Sequence, residues 1–196
     1  MKDRGIDESL EMIGSDTTAE MSGYKGGMLH HVEMLLDRRL FRVFCCLHIN
    51  ELPWRHIVAQ LDGPTSSKDG WQGDVGKLFS SVNSMERKET FEPIKLLEPV
   101  VYIPDDIART MSTGSSVAWK LLHAIVCGKL EPDVSALKCG KLSHSRWLTA
   151  GMRCLMLYMS KHNLSRHDEE VLILLATWVT QVYLPMFFYN QGKASY

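Results

Sequence analysis

The chain has 196 residues, with 22 Lys+Arg against 23 Asp+Glu, eight His, five Cys and 45% hydrophobic residues. The apolar fraction is ample for a core and excludes a disordered tail, while 14 Gly and 7 Pro without a period exclude a fibrous or low-complexity protein. A net charge of −1 excludes a uniformly basic nucleic-acid-binding surface. The five cysteines are irregularly spaced and no apolar signal region follows Met1, which points to reduced thiols in the nucleus or cytoplasm and no signal peptide.

Leu10-Glu11-Met12-Ile13-Gly14 reads as a strand whose carboxyl end presents Asp16. Met28, Val32, Leu35 and Leu36 then recur at helical spacing, with His30, His31, Glu33 and Asp37 on other faces. Leu40 to Cys46 is β-branched and aromatic enough for a second, well-buried strand. A helix is predicted from Pro53, because proline suits a first turn, with Trp54, Ile57, Val58 and Leu61 as its apolar face. Strand, helix, strand, helix predicts an α/β layer with adjacent parallel strands.

Residues 63–114 form a loop-rich connection. Gly70, Gly73 and Gly76 before Lys77 look like a phosphate loop, but Trp71 stands where the first glycine belongs and Leu78 where the hydroxyl belongs. That segment is read as a plain loop. Pro99-Val100-Val101-Tyr102-Ile103-Pro104 is the one further strand candidate. From 115 the chain is helical: Ser116–Cys127 with Gly128 as its C′ residue, Ser145–Ser160, and a long helix capped by Ser165 or Asp168 that Pro185 should end or kink.

Candidate chemistry is sparse. Asp16 at a strand end suits a Mg²⁺ ligand, but two-metal chemistry needs several converging carboxylates, so a turn or helix cap is the plainer reading. Cys45-Cys46-x-His48 lacks a second ligand pair for zinc and is read as a buried strand-end pair of thiols with a hydrogen-bonded His. Residues 134–167 carry no acid but contain Lys138, Lys141, Arg146, Arg153, Lys161 and Arg166, a local +6 that could track a phosphate backbone, with Arg146-Trp147 adding a stacking pair. The competing reading is a solvated helix face with Trp147 in the core. Val171–Tyr189 has 19 uncharged residues, formally enough for a C-terminal membrane anchor. Thr177, Thr180, Gln181 and Pro185, without a flanking basic cluster, favour a buried or partner-covered helix instead.

Taken together, Asp16 in Gly14-Ser15-Asp16-Thr17-Thr18-Ala19, Cys45 with His48, and Arg146-Trp147 resemble the middle of a hAT-type transposase. His48 to His56, Leu61 to Ser66 and His144 to Thr149 are similar to a divergent, mostly uncharacterised group of transposon-derived animal proteins. The resemblance implies an incomplete ribonuclease-H-like core of α/β class over 1–62, two strands of it visible, the 63–114 connection, and a mainly α-helical region over 115–196 that begins an insertion domain. It implies Mg²⁺-dependent DNA strand cleavage and transfer in a complete parent protein, with Asp16 as catalytic and metal-binding carboxylate. Cys45, His48, Lys138, Lys141, Arg146 and Trp147 are implied to be DNA-proximal or structural. The other two acidic residues would lie before Met1 and after Tyr196, so the chain is expected to be a fragment, inactive alone and holding no stable metal. A domesticated DNA- or protein-binding module, capable of self-association, and a tail-anchored membrane protein are the alternatives.

Overall fold

The computed structural model of the chain describes residues 9–66, 68–97, 109–143 and 147–193. It is a mixed α/β protein, predominantly helical, with two small sheets among the described residues. Two compact units, Met1–Asn50 and Glu51–Tyr196, divide it.

In the first unit β1 (Met12–Ser15) and β2 (Phe41–Phe44) pair in parallel, with Met12 beside Phe41 and Gly14 beside Val43. Between them lie a short helix α1 (Ala19–Ser22) and the crossover helix α2 (Met28–Leu36), the latter over the span that its periodicity predicts. Asp37 closes α2 in the left-handed region at φ 51°, a conformation that Asp tolerates better than most residues. The unit is tied together by charge as much as by apolar contact. Glu33 of α2 is only 5% exposed, and its carboxylate accepts from Arg42 of β2 (2.7 Å), Arg39 (3.0 Å) and the Leu40 amide (3.2 Å). These donors hold the Glu33 carboxyl down at about 2, with Arg42 first among the causes.

The expected well-buried strand is not found. Phe41 is 73% exposed, Met12 58% and Val43 45%, and these residues share one face of the ribbon. An isolated pair of strands has too little sheet to bury both faces.

Helix α3 (Cys46–Leu61) begins one residue after Cys45, seven residues before the predicted start at Pro53. Pro53 therefore sits inside the helix and leaves the Ile49 carbonyl without its i+4 amide donor. The prediction failed because it used proline's preference for a first turn; here the helix tolerates an interior proline. The two units part between Asn50 and Glu51, within the same stretch of helix.

In the second unit the 63–77 segment is not a plain loop. It holds a hairpin, β3 (Thr65–Ser66) with β4 (Gly70–Trp71), and a short helix α4 (Asp74–Leu78). Gly70 supplies the turn at φ 67°. A 3₁₀ turn, Val82–Ser84, follows. The core is built by α5 (Thr113–Cys127), α7 (Trp147–Tyr158) and α8 (Arg166–Trp178), while the short α6 (Pro132–Ser135) buries no residue. α7 packs against both α5 and α8 and is buried over nearly its whole circumference, as an all-round apolar helix must be. Trp147 meets Trp54 and Trp71 edge-on, with ring centres 6.2 and 5.5 Å apart, and Trp54 stacks on Tyr183 at 6.3 Å.

Two caps behave as predicted. Gly128 ends α5 at φ 66°, and the Ser165 hydroxyl accepts from the Asp168 amide at the start of α8. Pro185 neither ends nor breaks the last helix. A π-helical turn, Val179–Tyr183, carries the chain into α9 (Leu184–Lys193), with the Leu184 amide reaching back to the Val179 carbonyl. Pro185 thereby follows directly on the widened π turn, where the regular i→i−4 ladder is already interrupted. The continuous run Arg166–Asn190 is long and apolar enough to cross a membrane, with 56% of its most apolar window buried in the protein. The strand candidate 99–104 lies outside the described residues.

Candidate functional site

Three of the residues singled out in the sequence meet at the carboxyl edge of the parallel pair. Asp16 follows β1 directly, and the Cys45 amide donates to the Ser15 carbonyl at 2.9 Å, which sets the end of β2 beside it. His48 stands in the first turn of α3, close enough for its charge to act on Asp16. Ligands of open parallel sheets bind outside this same edge.

The Asp16 carboxylate is already engaged. Its Oδ1 accepts from the Thr18 hydroxyl at 2.6 Å and from the Thr18 amide at 3.0 Å, an Asx turn that stops the strand and starts α1. The Thr18 hydroxyl, then the Thr18 amide, hold its carboxyl below the usual range; partial burial opposes them and His48 adds a small pull in the same direction. Asp16 is thus an ionised acceptor fixed at a strand end. Among the described residues no three His, Cys, Asp or Glu side chains converge to hold a metal ion. One carboxylate with an oxygen committed to Thr18 does not form a two-ion clamp.

The thiols differ from expectation. Cys45 and Cys46 are exposed, not buried, because the junction between β2 and α3 that they occupy lies beside a ribbon too small to cover it.

The basic stretch divides once its residues have depth. Arg153 is 4% exposed, and its guanidinium donates to the carbonyls of Phe79 (2.5 Å) and Gly140 (2.5 and 3.2 Å). It is an internal clamp and leaves the DNA-facing set. Lys161 pairs with Glu86 at 2.5 Å and Arg166 with Glu170 at 3.3 Å. Arg146 lies outside the described residues. Lys138 and Lys141 are exposed. Trp147, 5% exposed among the other tryptophans, is core, so it has no face on which a base could stack.

The glycine-rich segment has a cause that spacing alone does not reveal. The Asp62 carboxylate accepts from the amides of Val75 (2.9 Å) and Gly76 (2.8 Å) at the start of α4. A Cβ on Gly73 would lie 1.7 Å from the Asp62 carbonyl oxygen, and one on Gly76 2.8 Å from its carboxylate. The place that a phosphate takes in a nucleotide loop is held here by the chain's own carboxylate. Burial raises the Asp62 carboxyl despite those two amides.

Sequence reasoning missed Glu33, Arg153 and Asp62, all polar residues whose partners are far away or at irregular spacing. No protein family, curated protein or solved structure matches the chain.

Proposed function

We propose that the chain is transposase-derived and that residues 9–50 keep the central strand–helix–strand of a ribonuclease-H-like core, with Asp16 in the place of a catalytic carboxylate. The observation that carries this reading is the parallel β1–β2 pair, joined through α2, with Asp16 immediately after the first strand. The uncovered apolar face of Met12, Phe41 and Val43 supports it, since parallel strands normally belong to a larger sheet covered on both sides. In the complete protein the activity is Mg²⁺-dependent DNA strand cleavage and transfer, for which further carboxylates join Asp16. This chain alone does not perform it.

A supercoiled-plasmid nicking assay in Mg²⁺ or Mn²⁺ tests that statement. The chain and its Asp16→Asn variant should be equally inert. Nicking that Asp16→Asn abolishes would mean that the chain holds a whole active site.

A second reading, a binding module without catalysis, is favoured by the commitment of Asp16 Oδ1 to Thr18. DNA contact then falls to the exposed Lys138 and Lys141. Neutralising both should reduce the slope of log affinity against log salt by about 2. An unchanged slope removes those lysines from any DNA interface.

A further inference from the structure

Away from Asp16, the second unit contains a cavity of about 400 Å³ between α5 and the 129–134 segment. Trp119, His123 and Cys127 follow one another at four-residue intervals on α5, so they form a single wall, and Ala124 and Val134 add apolar surface. The volume falls within the range that small ligands occupy, and an apolar wall with a few convergent polar groups is the usual composition of such sites.

The indole of Trp119 is held on two sides. Its ring meets Phe188 edge-on at 4.9 Å and His123 at 4.7 Å. A side chain fixed in this way offers a flat surface at little cost in ordering. At the rim Lys120 and Lys129 both line the cavity. Lys129 pairs with Glu131 at 2.7 Å, which also lines it, whereas Asp133, the partner of Lys120 at 3.0 Å, stands off the lining. The lining therefore carries two ammonium groups against one carboxylate. Both pairs are exposed, so a competing anion can replace their carboxylates without opening the core.

We propose that this cavity binds a small aromatic anion, with the aryl ring against Trp119 and its carboxylate or sulfonate between Lys120 and Lys129. The cation of the same ring is the poorer ligand, since it meets two ammonium groups against the single carboxylate of Glu131. The site is independent of Asp16 and of the reading built on it.

Cys127, an exposed thiol on the wall, reports occupancy directly. Its alkylation by iodoacetamide, with iodide leaving as the S–C bond forms, is followed by peptide mass spectrometry. Cys45 and Cys46 serve as internal controls. 1-Naphthoate should slow alkylation of Cys127 and leave Cys45 and Cys46 unaffected, and 1-naphthylmethylammonium should not protect. Lys129→Met, at a side chain 72% exposed and so removable without loss of the fold, should raise the half-protecting naphthoate concentration about tenfold. Trp119→Ala should abolish protection and Trp119→Phe should retain it. Equal protection by the anion and the cation, or no protection by naphthoate up to its solubility limit, overturns the proposal. So does a Lys129→Met variant that binds as the parent does.

Discussion

Replacing Arg153 with Met separates a structural cation from a DNA-facing one. The substitution keeps most of the side-chain volume and removes the guanidinium that serves the carbonyls of Phe79 and Gly140. Each is a charge-assisted bond worth about 1.5–3 kcal/mol, so the loss should be about 3–6 kcal/mol. Such a loss is a large share of the roughly 5–15 kcal/mol that holds a domain together. Urea unfolding followed by tryptophan fluorescence reads it cleanly, because all five tryptophans, from Trp54 to Trp178, lie in the second unit. With a denaturant slope of about 2 kcal/mol per molar, the midpoint should fall by about 1.5–3 M. Lys138→Met, at an exposed position, should stay within about 0.5 kcal/mol of the parent. An Arg153→Met protein that loses less than about 1 kcal/mol would refute the clamp and return Arg153 to the basic surface.

Asp62→Ala should destabilise the second unit by about 1–3 kcal/mol, because two amides at the start of α4 lose their acceptor. Asp62→Asn, which keeps one oxygen, should cost less, and thermal unfolding of the two variants checks the order. Glu33 governs the acid limit of the first unit. Its folded value of about 2 lies below the ordinary 4.5, so its contribution is present above pH 4.5 and is lost as the pH falls from 4.5 towards 2. Amide exchange at Leu40 and along β2, once corrected for the intrinsic pH dependence of exchange, should lose protection across that window in the parent. In Glu33→Gln exchange should be faster at neutral pH and should change less on acidification. Equal acid profiles in the two proteins would show that the Arg42–Glu33 pair does not hold the unit.

The features legible in the sequence were those set by nearby residues. Gly128 can be read as a C′ residue because only the chain's own turn decides it, and Ser165 because the amide that donates to its hydroxyl, that of Asp168, is three residues away. α2 was legible from its spacing, β1 from a short apolar run that ends at turn residues, and β2 from its β-branched and aromatic content. Pro53 was misread because proline's local cost is real but an interior site in α3 absorbs it, whereas ahead of Pro185 the regular helix does give way to a π turn. Depth was the other blind spot. Arg153 and Lys138 look alike in a charge count, yet one is buried beneath carbonyls from distant loops and the other is at the surface. Asp62 left only an indirect sign, a run of glycines that resembled a phosphate loop because both solve the same problem of bringing backbone amides close to an anion. At the candidate site the sequence placed Asp16 and Cys45 each at a strand end, but their meeting with His48 and the grip of Thr18 on Asp16 depend on the parallel pairing and on the turn that the strand end adopts.

The most direct test of the transposase-derived reading is the full-length transcript of the locus that encodes this chain. An open reading frame that continues on both sides of these 196 residues is expected. Upstream it should encode a strand bearing an acidic residue, and downstream a Glu to complete the set begun by Asp16. A transcript that starts at Met1 and stops after Tyr196, translated into a stably folded monomer, would contradict it.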